Sequence, residues 1–154
     1  MTVEHSAIAD TDAHEPKNVS TAGSGAVYVA TGAGSGSWKR PPVVMTVRIA
    51  DVSTSETVYI PAIITGEITR ISSCISSTLT TASPTISVAI NGVAVTNGSL
   101  VIDQGTAAAG IVDTTVPSGG NTISALTDYI TVATDGASGT TCPTIVALYI
   151  EPTT

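Results

Sequence analysis

The sequence predicts an all-β protein, an antiparallel β-sandwich of the jelly-roll type with an extended N-terminal arm. From residue 43 onward, apolar and polar residues alternate in short runs, which is typical of strands with one buried face. Gly, Pro, Asn and Asp separate these runs at short intervals, as in sandwiches and jelly-rolls. Helix signals are almost absent, since the alanine run at residues 107–109 is too short and ends at a glycine.

The elements follow in order along the body. We expect strands at residues 43–51, 57–62, 68–79, 85–90, 93–96, 99–103, 111–116, 129–134 and 144–150. Asn91-Gly92 predicts a type I′ hairpin turn, because both central positions of that turn need positive φ. Apolar residues change parity between Ile68 and Ile71, so a one-residue β-bulge is expected to return both to the core. Residues 122–126 could form a single helical turn.

The chain divides into an arm with its linker, residues 1–42, and a β-sandwich domain, residues 43–154. Residues 1–25 are small, polar and acidic, so this part cannot bury enough surface to order itself alone. Residues 26–31 offer one short strand. The GAGSG sequence at residues 32–36 favours a flexible linker, because the Lys-Ser/Thr of a phosphate-binding loop does not follow it. Two prolines at residues 41–42 favour an extended chain.

Charge and hydropathy exclude nucleic acid and membranes as expected partners. The net charge is −7, and the five Lys and Arg residues form no stripe, so we expect no binding to nucleic acid. No apolar run reaches the length of about 18–20 residues that a membrane-spanning helix needs. The acidic N-terminus does not have the order of a signal peptide, so synthesis and maturation in a cytoplasm are expected, with no membrane partner.

The chain has few residues of the types that catalyse reactions, and we expect no enzyme activity. His5 and His14 are the only histidines, and both precede the domain, which excludes a Ser-His-Asp or Cys-His arrangement within it. A glycosidase needs aromatic platforms beside paired carboxylates, and the body has three tyrosines and no other aromatic residue. No cofactor is expected.

A metal site is not expected either. Cys74 and Cys142 stand alone without CxxC spacing, so a reduced, buried pair is favoured over a disulfide. Asp128 and the sequence Thr-Asp-Gly at residues 134–136 could contact calcium, but turn formation explains them and is favoured.

Two segments carry a resemblance to a known family. HEPKN at residues 14–18 and VYVATGAGSGSW at residues 27–38 are similar to a segment of tailed-bacteriophage head decoration (cement) and head-fibre proteins. The body, with VSTSETVYIPAIITGEITRI and ISVAINGVAV, resembles the sandwich of such proteins. The resemblance implies a structural virion protein, a homotrimer whose N-terminal region binds the major capsid protein on the outer surface of the head.

The expected attachment residues lie in the arm. Its polar turn and its few apolar side chains supply the candidate capsid-contact residues, which are His14, Glu15, Pro16, Lys17, Val27, Tyr28, Val29 and Trp38. His14 and Glu15 are equally compatible with a solvated turn before Pro16. The arm could add a strand to a neighbouring sheet or insert its apolar side chains into grooves between subunits.

Two other functions compete with capsid decoration. A receptor- or glycan-binding module of a head or tail fibre would use outer loops, at residues 107–110, 118–121 or 136–141. These loops are small and nearly free of aromatic residues, which disfavours tight stacking against a sugar. A cytosolic hydrolase is the weakest alternative, since the body has no histidine.

Overall fold

The computed structural model describes residues 22–32 and 35–153, and this part of the chain is all-β with antiparallel pairing, as predicted. It contains no helix. The strands in chain order are β1 (Val27–Gly32), β2 (Ser35–Lys39), β3 (Val43–Ile49), β4 (Glu56–Pro61), β5 (Gly66–Ile75), β6 (Thr85–Ile90), β7 (Val93–Val101), β8 (Val112–Thr115), β9 (Thr122–Ile123), β10 (Tyr129–Thr134) and β11 (Thr144–Pro152).

The chain forms two compact units that divide between Pro41 and Pro42. In the first unit β1 and β2 pair as a two-stranded hairpin. The second unit, here called the body, contains two antiparallel sheets. Sheet I has the strand order β4-β10-β6-β7, and sheet II has the order β3-β11-β5-β8, with the short β9 paired to one end of β5.

Alternate residues of both sheets form one hydrophobic core. Its largest fully buried side chains are isoleucines, and they come from sheet I, as Ile86 and Ile130 do, and from sheet II, as Ile71 and Ile150 do. β-Branched side chains suit such strands because their restricted χ1 angles cost little entropy there. Two sheets that share one core are consistent with the predicted β-sandwich.

The Asn91-Gly92 turn is confirmed. Its two residues have φ values of 50° and 81°, and Ile90 pairs directly with Val93 across it. The two strands predicted after the turn, residues 93–96 and 99–103, are wrong as separate elements, because β7 runs through both. A register shift opposite Ser87 and Ala89, with Asn97 at φ 55°, absorbs the irregularity within one strand.

The bulge predicted in β5 is confirmed as well. Tyr149 of β11 pairs with Arg70 and the next residue, Ile150, pairs with Ile68, so Thr69 is the extra residue. Ile68 and Ile71 are both fully buried as a result. β5 ends at Ile75, whereas the predicted strand continued to residue 79.

The single helical turn considered at residues 122–126 does not form. Thr122 and Ile123 instead pair with β5 as the short strand β9. The buried side chain of Asn121 fixes this path, because its amide donates hydrogen bonds to Glu67 Oε1 at 2.9 Å and to the Ile68 carbonyl at 2.8 Å. A buried amide with two acceptors outweighs the weak local preference for a turn.

The cysteines are both reduced, but they are not a buried pair. Cys142 is buried, whereas Cys74 is exposed. The exposure follows from the bulge, because beyond Thr69 the even positions of β5 face outward while Ile71 and Ile75 face the core.

One carboxylate lies at a costly position between the sheets. Asp113 of β8 pairs with Ser73 of β5, and both Asp113 Oδ2 and Ser73 Oγ are buried without a hydrogen-bond partner in the described chain. Burial raises the pKa of Asp113, and the negative charge of Asp103 raises it further. The folded protein therefore holds the Asp113 proton more tightly than the unfolded chain does.

We predict that Asp113→Asn stabilises the protein at neutral pH. Because the folded pKa is raised, ionised Asp113 costs stability above that pKa, and the cost disappears as pH falls below the unfolded value near 3.8. Thermal unfolding should therefore give a higher midpoint for the variant at pH ~7 and equal midpoints at pH ~3. A variant less stable than the wild type at pH ~7 would contradict this prediction.

Candidate interaction surfaces

The hairpin sorts the predicted attachment residues onto two faces. Tyr28 pairs with Trp38, so both rings project on one side, whereas Val27 and Val29 pair with Lys39 and Ser37 and project on the other. The Tyr28 and Trp38 rings meet edge to face, with centroids 5.3 Å apart and planes at 66°. This geometry is a favourable one for aromatic pairs, and it joins the two strands.

Gly36 makes room for this pair. A Cβ atom at residue 36 would lie 2.5 Å from Tyr28 Cε1 and Cζ, so only glycine allows the tyrosine ring to cover the backbone of β2. The flexible linker predicted at residues 32–36 is wrong at its described ends, because Gly32 closes β1 and Ser35 pairs with it to open β2, and residues 33–34 lie outside the described residues. The glycine serves a close approach within a strand, a use that composition alone does not reveal.

The valine face of the hairpin is apolar and exposed. Val27 is 47 % exposed and Val29 is 39 % exposed. A two-stranded antiparallel hairpin is at best marginally stable by itself in water, and it gains most from a surface that covers its apolar face. Val27 and Val29 therefore form a candidate contact surface, separate from the Tyr28–Trp38 pair that the sequence had grouped with them. His14, Glu15, Pro16 and Lys17 lie outside the described residues.

Sheet II presents a second surface, which we call the sheet II face. It consists of the outward side chains of its four strands in three cross-strand rows, which are Val44-Tyr149-Arg70-Val116, Thr46-Ala147-Ser72-Thr114 and Arg48-Ile145-Cys74-Val112. The middle row has small side chains, and at its centre Ser72 is only 7 % exposed although it faces outward. These three rows carry four exposed aliphatic side chains and no carboxylate, whereas Glu151 and Glu67 pair at the next outward position, beside Tyr149 and Arg70.

The sheet II face also carries both cations of the body, Arg48 and Arg70. The guanidinium carbon of Arg70 lies 3.9 Å from the centre of the Tyr149 ring, a cation–π contact that restricts its orientation. Around this pair lies a cleft of about 350 Å³, whose other lining residues are Pro42, Thr69, Val116 and Glu151. Sequence reasoning missed this surface, because alternation shows that Arg48 and Arg70 face outward but not that their strands share a sheet.

A third surface lies where β4 ends and β10 begins. The rings of Tyr59 and Tyr129 are 5.8 Å apart and tilted by 46°, and Tyr59 is 68 % exposed. Leu126, in the loop before β10, has a φ of 62° and is 90 % exposed. Asp128 orders this loop, because its carboxylate accepts hydrogen bonds from Ser124 N at 2.7 Å and from Asn91 Nδ2 at 2.8 Å.

The carboxylates considered for calcium take part in turns. Asp128 accepts the two hydrogen bonds just described, and Asp135 Oδ1 accepts bonds from Thr85 N and Ala137 N, at 3.1 and 3.0 Å. No group of three or more His, Cys, Asp or Glu side chains in the described residues is arranged to hold a metal ion. Within the same residues, no helix is long and apolar enough to cross a membrane.

The chain matches no protein-family model and no curated protein sequence.

Replacement of Gly36 should disturb the aromatic pair. We predict that Gly36→Val displaces Tyr28, at a cost of about 1–3 kcal/mol in the stability of the hairpin, as for other overpacked sites. Trp38 is the only tryptophan of the chain, so its fluorescence reports on this hairpin alone, and the emission should shift to longer wavelength. Gly23→Val is the matched control, since a Cβ at residue 23 meets no atom within 4 Å. Equal spectra for the two variants would refute the packing role of Gly36.

Proposed function

We propose that this protein is a structural virion protein that decorates the outer surface of an icosahedral phage head and stabilises it as a homotrimer. The observation that carries the proposal is the hairpin, which combines a glycine-dependent aromatic pair with an exposed valine face in the segment that resembles decoration proteins. The major capsid protein is the proposed partner of this face. In this proposal residues 1–42 are the attachment arm, and the protein resides on the assembled capsid.

The strand order supports a jelly-roll for the body. If β9 is set aside and the other body strands are numbered one to eight, sheet II reads 1-8-3-6 and sheet I reads 2-7-4-5. The antiparallel pairs are therefore nested, as β3 with β11, β4 with β10, β5 with β8 and β6 with β7. A long hairpin that is rolled up gives this order, which is the double-sheet arrangement common in viral proteins.

Weak contacts suffice for such a function when several act together. In the described residues the hairpin has no third strand, so its strand edges and its valine face are both open to a partner surface. Each copy in a trimer contributes one arm, and the second and third arms bind at high effective concentration once the first is bound. The trimer would thereby hold neighbouring capsid subunits together.

The carboxylates of the body support a structural role over a catalytic one. Hydrogen bonds donated by the Ser53 hydroxyl and backbone amide, with another from the Cys142 amide, lower the pKa of Asp51 to about 2. A carboxylate with so low a pKa is a poor general acid or base near neutral pH. Asp103 accepts hydrogen bonds from the amide of Gly105 and the hydroxyl of Thr106, within a turn.

Removal of the attachment surface should abolish binding to capsids. We predict that deletion of residues 1–40 leaves a folded trimer that no longer cosediments with capsids lacking this protein. The double variant Val27→Asp/Val29→Asp should weaken capsid binding by at least about tenfold, since a buried valine contributes about 1.5 kcal/mol or more. Val101→Asp on the body is the control, because this exposed valine lies on sheet I. Capsid binding by the deletion variant would refute the proposal.

A second candidate function is a receptor- or glycan-binding module of a phage fibre, and the Tyr59–Tyr129 pair favours it. Two exposed tyrosine rings are suited to stack on a sugar, and their phenol groups to hydrogen-bond its hydroxyls. This function predicts specific signals on a glycan array that Tyr59→Ala removes and Thr57→Ala, an exposed change on the same strand, leaves intact. Absence of array signals from the wild-type protein would eliminate this candidate.

A further inference from the structure

The sheet II face has the composition of an interface core. Exposed aliphatic side chains flank a row of small residues on both sides, with Val112 58 % exposed and Ile145 45 % exposed. Tyr149 and two arginines complete these rows, which contain no Lys, Asp or Glu, and Glu151 and Glu67 border them at one end. Protein interfaces are enriched in aromatic residues and Arg, and their buried centres are depleted of carboxylates and lysine.

The charge on this face indicates the kind of partner. Residues 42–153 contain eight carboxylates and only two cationic side chains, and both cations, Arg48 and Arg70, lie here. Neither guanidinium group forms an ion pair within the described residues. Both arginines are thus available to carboxylates of a partner even though Glu151 borders the Arg70 cleft, and another copy of this acidic chain supplies such carboxylates.

Arg70 is prepared to receive a carboxylate. Its guanidinium carbon lies over the Tyr149 ring, 3.9 Å from the ring centre, in the cleft that Thr69, Val116 and Glu151 also line. Stacking leaves the N–H groups at the rim of the guanidinium free to bind both oxygens of a carboxylate. Arg and Tyr in such a cleft are also the residue types that most often contribute strongly to binding.

We propose that the sheet II face is the surface through which copies of this chain associate, and that carboxylates of the neighbouring copy bind Arg48 and Arg70. The inference rests on the homotrimer of the proposed function and identifies its interface. Two such faces brought together would oppose cation to cation, so the face meets a different, acidic surface of its neighbour. Head-to-tail contacts close into a ring when the rotation between neighbours is a simple fraction of a full turn, and a three-fold rotation gives the trimer.

The size of the face sets the expected strength of association. Four strands spaced about 4.8 Å apart, with three outward residues each over about 20 Å, cover roughly 400 Å². A standard interface buries about 800 Å² per partner, so the face supplies about half and flanking loops supply the rest. We therefore expect a reversible trimer whose population depends on protein concentration and on salt.

Two valines of equal exposure give a matched test. Val112 lies on the sheet II face and is 58 % exposed, whereas Val101 lies on the outward side of sheet I and is 55 % exposed. Sedimentation of the full chain should show that Val112→Glu is a monomer at concentrations where the wild type and Val101→Glu are trimers. Circular dichroism checks that both variants keep their β structure.

Arg70→Gln tests the electrostatic part of the interface. Loss of one member of a buried charge pair costs about 2 kcal/mol or more, so the protein concentration needed for half-assembly should rise by about 30-fold or more. High salt should weaken the wild-type trimer and affect the Arg70→Gln variant less.

The inference is overturned if the wild-type protein is monomeric at every concentration, if both valine variants remain trimers, or if both dissociate. Cosedimentation with capsids is measured separately. A protein that trimerises through this face but binds no capsid would refute the decoration function alone. Capsid binding by a protein that stays monomeric would refute the interface alone.

Discussion

The pairing of β11 with two neighbours is the interaction on which the rest of the body depends. This strand lies between β3 and β5 and pairs with both along most of its length. Its inward side chains, Val146, Leu148 and Ile150, are fully buried in the shared core. The bulge at Thr69 exists because β5 must follow the register of β11 and still bury Ile68 and Ile71 on the same side. Because β11 pairs with both β3 and β5, it also aligns the outward rows of sheet II that contain the two arginines.

Local signals in the sequence predicted most of the strands and two of their irregularities. The Asn91-Gly92 turn and the parity change between Ile68 and Ile71 each depend on residues close in sequence, so alternation and turn chemistry were sufficient. The neighbours of each strand in its sheet could not be predicted in this way. Arg48 and Arg70 belong to strands separated by β4, and only the intervening β11 brings them onto one face.

The hairpin shows a different limit of sequence reasoning. Glycine and serine in the sequence GAGSG suggested a linker by composition, yet Gly36 is needed because the Tyr28 ring lies against the backbone there. The cysteines show the same dependence on context, since the bulge that buries Ile71 also turns Cys74 outward. In each case one contact between residues on different strands, or one extra residue in a strand, reverses what the composition indicates.

Nesting of the strand pairs has a consequence for synthesis of the chain. Val43 opens the body and pairs with Ile150, close to the C-terminus, while the shortest loop is closed by Asn91 and Gly92. Translation therefore exposes β3, β4 and β5 before the strands that pair with them have left the ribosome. Such non-local pairings form slowly, and unpaired strand edges bind other chains readily.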